Sequence, residues 1–212
     1  MTIPYYHHVR LIAYWRNVHM NKQKLKRSIR FSISIAVITF VLAAIFSVVS
    51  SSILGKASTI MGLIIVLIIV LVGVIFDMLG IAATAASEIP FHAMAAEKVS
   101  GSKQAIIIIR NADRFASFCN DVIGDISGII SGTASAVVVI QIANGFGYSE
   151  NSGIFIIVSV ALTSLVAALT VGGKAVGKYF AIHSSTKIIH FAGKGIAFFE
   201  DKLKIKVLSK SK

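Results

Sequence analysis

Four long apolar runs divide this chain, at 31–54, 59–86, 116–144 and 153–172. Each reaches the roughly 20 residues that an α-helix needs to cross a hydrocarbon layer about 30 Å thick. The first and fourth carry no charge, the second carries Asp77, and the third carries Asp121 and Asp125. Polar residues gather between the runs in an alternating way. The connectors 55–58 and 145–152 are short and hold only Lys56 and Glu150 as charged residues. Segments 1–30, 87–115 and 173–212 hold every other Lys and Arg. Cytoplasmic segments of membrane proteins are rich in Lys and Arg, so this asymmetry predicts both termini and the middle connector on the cytoplasmic side. The expected fold is all-α: a polytopic membrane protein with about four transmembrane helices and amphipathic cytoplasmic helices beside the membrane. It divides into a basic interfacial N-terminal segment (1–30), a transmembrane domain (31–175) and a basic amphipathic C-terminal helix (176–212).

The flanking segments have interfacial patterns of their own. Tyr5, Tyr6, Tyr14 and Trp15 interleave with Arg10 and Arg16, as in chain lying among lipid head groups. Near the C-terminus, Ile189, Ala192, Ile196, Phe199 and Leu203 share one helical stripe, and Lys187, Lys194 and Lys202 lie off it. That pattern predicts an amphipathic helix against the membrane or a partner subunit.

Composition agrees with this picture: 56% of residues are hydrophobic and only 14% are charged, against about 25% charged in soluble domains. The net charge of +12 would suggest nucleic acid in a soluble protein. Here it is the inside bias of a membrane protein, so the expected partners are the lipid bilayer and its anionic head groups, with no nucleic acid. No apolar leader precedes residue 31, so a cleaved secretory signal is not expected. The single cysteine, Cys119, excludes an intrachain disulfide and reads as a small buried hydrophobe.

The third run carries most of the chemistry. At 100° per residue, Asp121, Gly124, Asp125, Ser127, Gly128, Ser131, Gly132 and Ser135 fall within a wedge of roughly 160°, opposite Val122, Ile123, Ile126, Ile129, Ile130 and Val137. Gly124, Gly128 and Gly132 recur every fourth residue, a spacing that lets another helix approach closely. In the second run, a wedge of roughly 100° around Asp77 holds Gly73, Gly80, Thr84, Ser87 and Glu88. The rise along antiparallel helices brings Asp77, Asp121 and Asp125 to a similar depth, some 7–15 Å from the cytoplasmic helix ends. An isolated charge at mid-bilayer costs at least about 2.5–3.5 kcal/mol, and none of the four runs contains a Lys or Arg to neutralise these acids. Three arrangements satisfy them: a bound cation held by hard oxygen ligands, protonated carboxyls hydrogen-bonded between helices, or a proton relay. The histidines carry less: His7 and His8 are neighbours and do not share a helix face, and His92, His183 and His190 fall in interfacial segments. No phosphate-binding loop, nucleophile elbow or zinc-ligand spacing is present, and no enzymatic activity is expected.

Two stretches resemble the transmembrane domain of the CNNM/CorC magnesium transporter family. Ala86-Ser87-Glu88 is similar to the family's Ala-Ser-Glu where its first helix reaches the cytoplasm. Gly101-Ser102-Lys103-Gln104-Ala105, the aliphatic run Ile106 to Ile109 and then Asp113-Arg114-Phe115 are similar to the family's lead into its next span. The likeness covers residues 60–175. It implies a dimeric three-helix domain that moves Mg²⁺, with Na⁺ as coupling ion in some members. It also implies a ligand serine at the position of Ser87. The family's asparagine pair, one turn apart in the following helix, is not reproduced; Asp121 and Asp125 lie nearby. The family's CBS domains do not appear in this sequence, and the run at 31–54 is additional.

The resulting expectation is a divalent-cation transporter, with Mg²⁺ as cargo, Na⁺ as a candidate coupling ion, and Ser87, Asp121, Asp125 and Asp77 around the ion. It would be a homodimer in the bacterial plasma membrane. The alternative is a non-transporting membrane scaffold or regulatory subunit whose basic helices bind lipid or partner proteins.

Overall fold

The computed structural model describes residues 22–148 and 152–203. The aromatic-basic arm at 1–21, with His7, His8 and Trp15, lies outside the described residues. Among those described, every regular element is helical. In chain order they are α1 (Lys22–Leu54), α2 (Thr59–Ala85), α3 (Ile89–Ala96), α4 (Ser102–Arg110), α5 (Ala112–Ser117), a π-helical segment (Phe118–Gly124), α6 (Asp125–Gly145), α7 (Gly153–His183) and α8 (Ser185–Leu203). Four stretches are long and apolar enough to cross a membrane: Ser28–Leu54, Thr59–Ala85, Ala112–Gly145 and Gly153–His183. The third is α5, the π segment and α6 run together. This is an integral membrane protein in which the sequence's four apolar runs are four spanning helices.

The chain divides into two units, 1–40 and 41–212. In the first, the described part is the start of α1, whose apolar side chains, Phe31, Ile33, Val37 and Phe40 among them, are exposed. The second unit contains the rest of the fold. Both short connectors end in a serine that starts the next helix: Ser58 Oγ accepts from Met61 N–H, and Ser152 Oγ accepts from Phe155 N–H at 3.2 Å. These serines satisfy backbone donors that a helix start leaves unpaired. At the end of α1, Gln141 Nε2 donates to the carbonyls of Leu54 at 2.8 Å and Ala57 at 3.3 Å. The third span thus caps the first-to-second connector.

Lipid tails are as apolar as leucine, so spanning helices associate through close packing rather than hydrophobic expulsion. Here the close packing follows one register. A Cβ added to Gly62 would meet Val138 Cγ2 at 2.8 Å, and one added to Gly73 would meet Ser127 Cβ at 2.8 Å. One added to Gly80 would run into the Asn120 amide. The same steps of eleven and seven residues separate the three contacts on both helices, in opposite directions. They mark the antiparallel seam of α2 with the third span. On another side of α2, Gly173 and Gly177 of α7 sit over Val74, so the second span lies against both.

The glycines at 124, 128 and 132 do not form one packing face as expected. Gly124 is buried in the seam, while a Cβ on Gly128 or Gly132 would meet nothing within 4 Å. The buried face of the third span is built from Ser127, Ser131, Ser135, Ile126, Ile130, Ala134 and Val138. Along α6 each four-residue step drifts about 40° off the seam, which carries Gly128 and Gly132 out of it; before α6, the wider turns of the π segment advance less per residue than the 100° of an α-helix. A helical wheel drawn across residues 116–144 therefore loses phase at Phe118–Gly124.

A second core lies at the end of the bundle that carries α3, α4 and α8. Phe91, Ile108, Ala105, Ala82, Ala83, Ala181 and Ile189 are all buried there. The apolar stripe of α8 contributes to it through Ile189, Ala192 and Ile196. These three are thus docked inside the chain, against α4, while Phe199 of the same stripe is exposed. The two helices touch backbone to backbone: Gly193 lies on the Gly101 carbonyl, and Gly101 has a φ of 83°. The boundary expected at residue 175 falls within α7, which continues to His183. Cys119 is buried, as its apolar surroundings predict.

Substitutions along the seam separate these roles. Gly73→Leu should lower the melting temperature of the detergent-solubilised protein strongly, because a backbone-adjacent clash with Ser127 forces the spans apart. Gly132→Ala should leave it unchanged or raise it, since Gly costs about 1 kcal/mol relative to Ala inside a helix. Equal melting temperatures for the two variants would contradict the register.

Candidate functional site

Three titratable residues of the spans meet at one place. Lys174 Nζ lies 3.3 Å from Asp125 Oδ1 and 3.6 Å from Asp77 Oδ1. Three spans each contribute one residue: α2 gives Asp77, the third span gives Asp125 and α7 gives Lys174. Asp77 sits between the two seam glycines Gly73 and Gly80, so the close approach of the helices fixes its position. Gly124 forms the floor of the cluster, with the position of an added Cβ 3.6 Å from both Asp77 Oδ1 and Lys174 Nζ. Exposure is graded across the trio. The side chain of Asp77 is 15% exposed, that of Lys174 24% and that of Asp125 63%. One carboxylate is therefore sheltered and the other opens outward. Asp77 stands eight residues before the end of α2, about 12 Å along the axis. Lys174 stands nine residues before the end of α7 at the same end of the bundle.

This overturns the expectation that no cation within the spans could neutralise the acids. The apolar run ends at 172, but the helix does not. Apolar length reports the hydrocarbon thickness, while backbone hydrogen bonding carries a helix on past it. The extra turns of α7 deliver Lys174 to the two carboxylates.

The four residues expected around an ion are only partly gathered. Asp77 and Asp125 share the lysine. Asp121, in the π segment, is exposed and has no ion pair among the described residues. Ser87 is exposed beyond the end of α2, and its hydroxyl accepts from Ile89 N–H at 3.4 Å, holding the turn into α3. Among the described residues, no three of His, Cys, Asp and Glu come together as a metal-holding group. Two hydroxyls on the third span are also occupied locally: Ser131 Oγ donates to the Gly128 carbonyl at 2.9 Å and Ser135 Oγ to the Gly132 carbonyl at 2.7 Å.

Two residues near the cluster have no clear signal in the sequence. Lys174 lies beyond the apolar run that ends at 172. Asn120 lies in the π segment. Its Oδ1 is buried with no hydrogen-bond partner in the structure, above Gly80. It is a hard oxygen one turn along α2 from Asp77.

A separate polar link closes the end of the bundle. Glu88, in the turn after α2, accepts from Arg110 Nε at 2.6 Å, and the same oxygen lies 2.8 Å from His92 Nε2. The pair ties the end of α4 to the α2–α3 turn. Desolvation pushes the Glu88 carboxyl up, but hydrogen bonds and charge attraction from His92 and Arg110 outweigh it and hold the group below its ordinary value of 4.5.

Comparison of this chain with protein-family models, with curated proteins and with solved structures finds no match.

The sign of the Glu88 effect is fixed by linkage. A carboxyl held low in the folded state contributes stability above its unfolded value and loses it as the pH falls through the folded one. Glu88→Gln should therefore reduce thermal stability at neutral pH, and the difference from wild type should shrink as the pH drops below about 4.5. A difference that is constant from neutral to acid pH would show that the ion pair does not support the fold.

Proposed function

We propose that this chain moves a divalent cation, Mg²⁺ in the first instance, across the bacterial plasma membrane through a CNNM/CorC-like transmembrane domain. The observation that carries the reading is the convergence of Asp77 and Asp125, from two different spans, on one lysine. Ionisable groups within spans are costly and mark ion or proton pathways. Two carboxylates with one ammonium leave a formal charge of −1, and Asp125 opens outward. In this reading Lys174 is an internal counter-charge that holds the acids when no cargo is bound. A cation with six oxygen ligands, several of them water, would take the place of the ammonium between Asp77 and Asp125. Asn120 would supply a neutral oxygen beside them. Asp121 and Ser87, expected as ligands, would act at the approach to the site. Na⁺ as coupling ion remains part of the proposal. Both termini, with α3, α4 and α8, are placed in the cytoplasm on the Lys and Arg distribution.

A non-transporting scaffold is the competing reading. The same ion pairs favour it, because Lys174 satisfies both acids and could serve only to bind three spans together. Flux separates the two. In proteoliposomes carrying a Mg²⁺-sensitive dye, wild type should conduct. Asp125→Asn should lose tenfold or more of the rate, roughly 1.4 kcal/mol or more on the barrier. Lys174→Met should shift the concentration dependence of flux. Wild-type flux in Asp77→Asn and Asp125→Asn, or no flux in the wild type, would sink the transport reading.

The homodimer is proposed on the open faces of Gly128 and Gly132, which no described residue of the same chain fills. Small residues of this kind allow a second copy to approach closely. Native mass spectrometry in mild detergent should show a dimer that Gly128→Leu reduces to monomer without lowering the yield of folded protein. A monomer at every concentration of wild type would refute the assignment.

A further inference from the structure

The amphipathic helix α8 has two apolar faces, and only one is covered. At 100° per residue, Ile189, Gly193, Ile196 and Ala197 point toward α4 and the core at that end of the bundle, where they are buried or half-buried. Glu200 lies on the same side and accepts from Gln104 Nε2 at 2.9 Å. The opposite side, an arc of roughly 140°, presents Phe191, Phe198 and Phe199. These rings are 79%, 61% and 58% exposed, more than a core aromatic tolerates. Lys187, Lys194 and Lys202 fall in the same arc and are exposed. Lys202 Nζ reaches over the Phe198 ring, 5.7 Å from its centre. One acid, Asp201, stands at the edge of the arc.

We propose that this Phe and Lys face of α8 docks on the anionic head groups of the membrane that the chain spans. Three aromatic rings and three ammonium groups on one arc match a surface that is apolar beneath and negative above. Position supplies the second argument. Only Ser184 separates α8 from α7, so the helix begins where a spanning helix ends. The last turns of α7 continue the same composition, with Lys178, Tyr179 and Phe180 exposed. Aromatic rings beside lysines are the usual furniture of the head-group layer. The rings enter the acyl boundary while the lysines extend to phosphate, which their flexible stems permit.

The test uses the full chain in nanodiscs of phosphatidylcholine alone or with phosphatidylglycerol. A tryptophan reporter is placed by Phe198→Trp in a Trp15→Phe background, with Phe191→Trp as a second reporter on the same face. Brominated acyl chains quench a tryptophan that sits in the membrane. The expected result is blue-shifted emission and at least about twofold stronger quenching in anionic discs than in neutral ones. The excess should vanish in about 1 M salt, where the screening length is near 3 Å, and in the Lys187→Gln, Lys194→Gln, Lys202→Gln variant. Water-like emission without quenching in anionic discs would overturn the proposal. So would blue-shifted emission without quenching, which would put a protein surface over the face, and so would equal quenching in neutral and anionic discs.

Discussion

The close approach of α2 to the third span governs the rest of the molecule. Bilayer lipid gives two apolar helices no reason to prefer each other over acyl chains, so their contact depends on how near the backbones come. Gly62, Gly73 and Gly80 remove the side chains that would hold the helices apart, and Val138, Ser127 and Asn120 fill the space. With that register set, Asp77 has one place to go. It lies over Gly124, within reach of a lysine from α7. A bulkier residue at Gly73 would move the carboxylate as well as the helix, so packing and charge placement cannot be altered separately here.

The spans were legible in the sequence because hydrocarbon thickness sets a length that apolar runs must meet, and all four met it. That Asp77 and Asp125 each need a polar or charged neighbour was legible for the same reason, since charge is expensive there. Three features were not. Lys174 lies two residues beyond the apolar run, and composition does not say that α7 continues through it. The π segment at Phe118–Gly124 has no local sequence signature, yet it rotates everything after it and separates Asp121 from Asp125. The serines of the third span share a wheel face with the aspartates, yet the hydroxyls of Ser131 and Ser135 turn back to their own helix. The first two misses come from treating a helix as uniform and as ending where its apolar run ends.

The end of the bundle with α3, α4 and α8 follows different physics. Phe91, Ile108 and Ile189 form a core like that of a soluble protein, and Glu88 with Arg110 fastens its edge. The one fully buried aromatic ring among the described residues, Phe91, lies here. This core gives α2 and α7 a common footing just beyond the Asp77–Lys174–Asp125 cluster, because Ala82, Ala83 and Ala181 belong to it. Any movement of α7 relative to α2 that separates Lys174 from the acids must also shear this core.

Gln141 has a consequence for how the protein is made. Its amide caps the carbonyls of Leu54 and Ala57, yet it is synthesised more than eighty residues after them. The first two spans leave the ribosome before the third. The amide that caps the connector between them therefore arrives only with the third span, and the order of synthesis bears on the order of assembly.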